Sequence, residues 1–72
     1  MPVRLTKIIA TLGPATGRKP QIRSLVGAGV DVFRLNLSHG DHGVLRQWIR
    51  WIREVEQERD RFVGILLDLQ GP

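Results

Sequence analysis

The sequence contains no cysteine and no tyrosine, and a single methionine, among 72 residues. The absence of cysteine excludes disulfides and any thiolate-bound zinc site, and it suits a reducing compartment. Long apolar runs are missing too. The opening stretch, "MPVRLTKIIATLG", carries an apolar core of only a few residues, too short for a secretory leader and far too short to span a bilayer. No membrane association and a cytoplasmic location are therefore expected. Acidic residues are scarce: seven Asp and Glu face eleven Lys and Arg, for a net charge of +4. That balance is compatible with an anionic partner, either a phosphorylated small molecule or nucleic acid. A hydrophobic share of 42% with 25% charged residues reads as globular. At this length the chain forms one small domain at most.

What is present alternates between two periods. "RLTKIIATLGP" reads as a strand whose run Ile8, Ile9, Ala10 and Leu12 suits coverage on both faces, as in a parallel sheet. "PQIRSLVGAG" reads as a short helix with Pro20 at its first position, Gly27 or Gly29 at its exit, and Ile22, Leu25 and Val26 on one stripe. "VDVFRLNLS" is a second strand. "GVLRQWIRWIREVEQERD", with Asp41 before it as a candidate cap, is a second helix. There Val44, Leu45, Trp48, Trp51, Ile52 and Val55 gather in one arc at about 100° per residue, and the two tryptophans are read as core. Arg50 and Glu54 stand four apart, the spacing of a local ion pair. "RFVGILLDLQGP" is a third strand. The order β-α-β-α-β predicts parallel strands joined by right-handed crossovers. A sheet of that kind has two open edges and one poorly covered face, so residues 1–72 read as a single incomplete domain that opens a longer α/β protein and, alone, self-associates.

Polar chemistry collects at the carboxyl ends of the strands, where α/β folds place ligands. In "VFRLNLSHG", strand alternation sets Arg34, Asn36 and Ser38 opposite Phe33, Leu35 and Leu37. Asp68 ends the third strand; Thr11 and Gly13 end the first. Arginine is suited to phosphate or carboxylate, whereas amide, hydroxyl and carboxylate oxygens suit a hard cation. The residues alone leave alternatives open. Arg34 could be a structural partner of Asp68, and Asn36 and Ser38 could cap the turn at "SHGD". His39 and His42 lack an evident third ligand for zinc. "GPATGRK" lacks the spacing of a phosphate loop.

Three blocks, "TKIIATLGPAT", "AGVDVFRLNLSHG" and "ILLDLQGP", resemble the opening of the pyruvate kinase family in order and spacing, over nearly the whole chain. The resemblance implies the first strands of a (β/α)8 TIM barrel. It also implies phosphoryl transfer from phosphoenolpyruvate to ADP in glycolysis, giving pyruvate and ATP, with Mg2+ and K+ as cofactors and a homo-oligomeric parent. By resemblance, Arg34 contacts the substrate phosphoryl group. Asn36, Ser38, Asp68 and the backbone carbonyl of Leu69 ligate K+. Asn36, Leu37, Ser38 and His39 lie along the nucleotide phosphates. The family's acidic Mg2+ ligands and catalytic lysine have no match among these residues, nor does the arginine that usually follows the "GP" of the third strand. No catalytic residue is therefore assigned, and the chain by itself is expected to be inactive. The alternative is a small basic α/β module for phosphorylated ligands or nucleic acid, against which the interspersed Glu54, Glu56 and Glu58 count.

Overall fold

Alternation along one strand organises the molecule. In the computed structural model, which describes residues 6–13, 17–37 and 42–69, Phe33 and Leu35 are fully buried while Arg34 between them is exposed. The elements are β1 (Ile9–Leu12), α1 (Lys19–Gly27), β2 (Val32–Leu37), α2 (His42–Arg59) and β3 (Gly64–Leu69). The strands form one sheet in the order β1-β2-β3, and both pairings are parallel. Consecutive strands that step in one direction, each by a right-handed crossover, place both helices on the same face. That is the singly wound arrangement of a barrel wall; a doubly wound sheet reverses direction and carries helices on both faces.

The core lies between that face and the helices. Leu12, Phe33 and Leu35 from the sheet meet Ile22 and Val26 of α1 and Trp48, Ile52 and Val55 of α2. The arc read from the sequence of α2 is the buried one, and Trp48 is only 2% exposed. The apolar run of β1, expected to be covered on both faces, is covered on one: Leu12 is buried and Ala10 half-buried, whereas Ile9, which points the opposite way, is 57% exposed. Both crossovers pass on the other side, so nothing among the described residues covers the face that carries Ile9, Thr11, Arg34 and Leu66.

Helix ends follow local chemistry. The start of α1 falls one residue before Pro20, with Arg18 as its cap in extended conformation. At its other end the amides of Gly29 and Val30 donate to the carbonyls of Val26 and Leu25, 3.1 and 3.0 Å away. This double closure needs a left-handed residue, and Gly29 supplies it with φ 112°. The end of α2 closes the same way. The amides of Asp60 and Arg61 bond back to Gln57 and Glu56, and Asp60 takes the left-handed position at φ 50°. Asp41, the expected cap of α2, lies outside the described residues.

Arg18 provides no side-chain cap for α1, and Pro20 has no amide to offer, so the amide of Gln21 is the group a cap would satisfy. Arg18→Ser is expected to stabilise the chain by about 1 kcal/mol, read as a higher thermal midpoint. An unchanged midpoint would mean that water already satisfies that end.

Three ties fasten the helices and strands. Lys19 reaches Glu54 at 2.8 Å and Glu58 at 3.7 Å, and Arg23 reaches Glu58 at 2.8 Å, so α1 is laced to α2. The hydrogen bond and charge of Arg23, with Lys19 behind it, outweigh the desolvation of Glu58 and hold its carboxyl below the ordinary value. Glu56 accepts from the Val63 amide at 2.7 Å and from Arg53 at 2.8 Å. Burial alone would raise its carboxyl, but those donors win and lower it. At the N-terminal ends of the strands, Asp31 accepts from the Ile8 amide at 2.8 Å and from Arg61 at 2.9 Å. Arg61 also donates to the carbonyls of Val26 and Gly29 at 2.8 and 3.2 Å. One ion pair therefore joins the starts of all three strands to the end of α1.

Candidate functional site at the strand ends

Parallel register decides which polar groups share a rim. Thr11 stands beside Arg34, and Arg34 beside Leu66; two residues on, Asn36 stands beside Asp68. Partners in a parallel ladder project from the same face. Thr11, Arg34, Asn36 and Asp68 therefore belong to one face, the one the helices leave open, and Asn36 and Asp68 lie towards the carboxyl ends. Arg34 and Asp68 reach diagonally across β2 and β3 to form an ion pair. From the residues alone that pairing stands as one open alternative for Arg34. Its side chains remain 47% and 30% exposed, so the guanidinium keeps donors free for an anion. A depression on this face is lined by Ile9, Thr11, Arg34, Leu66, Leu67 and Asp68.

The residues expected at the site are thus partly assembled. Arg34, Asn36 and Asp68 are brought together. Leu37 and Leu69 are register partners at the last rungs of β2 and β3, which puts the Leu69 backbone at the same rim. Ser38 and His39 lie outside the described residues. The donor set fits a hard, weakly demanding cation: Asn36 and Asp68 offer an amide and a carboxylate oxygen from adjacent strands in register. No group of three or more His, Cys, Asp or Glu gathers among the described residues, and no helix among them is long and apolar enough to cross a membrane.

Two features were not read from the sequence. The Asp31–Arg61 tie joins residues 30 apart, and its only local signal is an acidic residue just before the apolar run of β2. The second feature corrects an expectation. Glu54 does not pair with Arg50 but with Lys19 of α1, because a cation on the packed neighbouring helix reaches it. Glu58 is likewise taken by Arg23 and Glu56 by Arg53 and Val63. The interspersed glutamates therefore do not neutralise Arg46 and Arg50, which make no ion pair with a described residue.

Comparison with known proteins points to one family. Residues 3–72 match the family described as "Pyruvate kinase, barrel domain". "Pyruvate kinase 2" of Synechocystis sp. is 56% identical over 69 residues, covering 96% of this chain and 12% of that protein. A pyruvate kinase of Corynebacterium glutamicum is 54% identical over 69 residues, covering 96% and 14%. The crystal structure of a pyruvate kinase from Cryptosporidium parvum superposes with a TM-score of 0.80 at 41% identity, covering 93% of this chain and 14% of that one. The chain thus spans 12–14% of the length of these relatives.

Proposed function

The chain belongs to the pyruvate kinase family, and from that premise we propose that it forms the opening wall of a phosphotransferase barrel and contributes the Arg34 rim of its phosphoryl-transfer site. In this reading the whole protein transfers the phosphoryl group of phosphoenolpyruvate to ADP, yielding pyruvate and ATP as in glycolysis, in the cytoplasm and as a homo-oligomer. The observation that carries the reading is the convergence of Arg34, Asn36 and Asp68 on one open face at the carboxyl ends of parallel strands.

Each group has a physical task. Arg34 binds the transferring phosphoryl oxygens through its planar fork and stabilises the charge that spreads over them in flight. Its ion pair with Asp68 holds the side chain over the rim before substrate arrives, which lowers the ordering cost of binding. Asn36, Ser38, Asp68 and the Leu69 carbonyl would hold K+, and Asn36 through His39 would run along the nucleotide phosphates. Bound K+ and Mg2+ would offset the negative charge of the two phosphorylated substrates. The acidic ligands for Mg2+ and the proton donor for the enolate are not supplied by these residues, so the 72-residue chain is expected to be inactive alone.

A segment exchange tests the proposal. In place of the matching segment of the Synechocystis relative, these residues should preserve pyruvate formation within about tenfold, while the free chain should give none above background. An exchanged protein that folds, by circular dichroism, yet is as inactive as the free chain would overturn it.

A further inference from the structure

The glutamates that balance the sequence are spent on internal ties, and this leaves an excess of charge on α2 that the strand-end rim does not explain. The helix has no acid in its first turn. Its three glutamates, Glu54, Glu56 and Glu58, are each held by α1 or by residues next to β3. Arg46 and Arg50 are held by nothing among the described residues, although both are exposed. They stand one turn apart, where like charges repel. Two arginines placed in that way weaken the free helix, and a local cost without a local return marks a group kept for a partner.

Gly43, Arg46, Gln47 and Arg50 line a depression on the outer surface of α2. Gly43 has no side chain to fill it, and Gln47 adds a side-chain amide to its lining. Residues four apart on a helix have Cβ atoms about 5–6 Å apart, a spacing at which two forks can each take a pair of oxygens from one phosphate or diphosphate group. The surface lies on the helix layer, whereas Arg34 projects from the opposite face of the sheet. We propose that Arg46, Gln47 and Arg50 form a peripheral anion site that takes the phosphate or diphosphate group of a small ligand. The site is independent of the phosphoryl-transfer rim and stands or falls without it.

The test is a titration of the isotope-labelled 72-residue chain with sodium diphosphate at constant ionic strength, followed on the Arg Nε–H and Gln side-chain amide resonances. Saturable shifts at Arg46, Gln47 and Arg50 are expected, unchanged in R34A. R46E should weaken binding at least tenfold while the thermal midpoint holds or rises, since a carboxylate four residues before Arg50 is the favourable order on a helix. R50Q, which changes one charge only, should weaken binding at least threefold. Shifts that grow linearly without saturating, that centre on Arg34, or that survive R46E and R50Q would each overturn the site. So would a single-stranded oligonucleotide that binds through residues spread over both helices while diphosphate does not bind.

Discussion

Replacing Trp48 by alanine is expected to cost the fold about 3–5 kcal/mol and to leave much of the chain unfolded at physiological temperature. The size follows from where the indole sits. Trp48 is 2% exposed, among the largest fully buried side chains, and lies in the cluster that joins α1, α2 and the sheet. Its ring nitrogen donates to the Gly17 carbonyl at 2.9 Å in a buried contact, so alanine leaves both a cavity and a carbonyl without its donor. Small domains hold only about 5–15 kcal/mol in total, and a chain of this length sits towards the lower end. Gly17 is the other half of the contact. A Cβ there would lie 2.1 Å from the indole nitrogen, inside any tolerable approach, so Gly17→Ala must displace the ring or the loop at about 1–3 kcal/mol. Because the two positions share one contact, their effects should not add. Trp48→Phe, which keeps an aromatic ring but no donor, should cost less than Trp48→Ala. Urea unfolding followed by far-ultraviolet circular dichroism measures all of these. Equal midpoints for Trp48→Ala and the unsubstituted chain would show that the indole is not the keystone of this core.

The contrast between what local pattern reveals and what it hides runs through particular residues. Phe33, Arg34 and Leu35 could be read because strand alternation is a local rule with period two. The α2 arc could be read because eighteen residues give several repeats of the helical period, and Trp48, Ile52 and Val55 fall where it puts them. Ile9 was misread for a reason of the same kind. A continuous apolar run states that a strand can be covered twice, but what covers the second face depends on the direction of the crossovers and on chain that is distant in sequence. Glu54 was misread because i,i+4 spacing identifies a possible partner, Arg50, without weighing the competing Lys19 brought by helix packing. The candidate site was legible in part because Arg34 and Asn36 lie on one strand. Its pairing with Asp68 needed the register of β2 against β3, which no local motif states.

The most severe functional effect is expected at Arg34 once the segment is placed in a complete barrel. Arg34→Ala in the exchanged Synechocystis protein should lower kcat/KM for phosphoenolpyruvate by about 10²–10³-fold, the effect of losing roughly 3–4 kcal/mol of transition-state stabilisation. Arg34→Lys retains the charge but not the fork, and should recover part of that loss. A purely structural reading of the same side chain makes the opposite forecast. The Arg34–Asp68 pair is half open to water, and exposed pairs of that kind contribute about 0–1 kcal/mol. If Arg34 served only to tie β2 to β3, then Arg34→Ala and Asp68→Asn would each lower stability slightly, and neither would change turnover once the protein was folded. Under the proposed role the two variants separate. Arg34→Ala depresses kcat with its thermal midpoint almost unmoved, whereas Asp68→Asn retains the phosphoryl contact and is partly rescued by raising the K+ concentration. Steady-state kinetics at two K+ concentrations, beside thermal melts of both variants, distinguish the cases, and full turnover in a folded Arg34→Ala protein would remove the guanidinium from the chemistry.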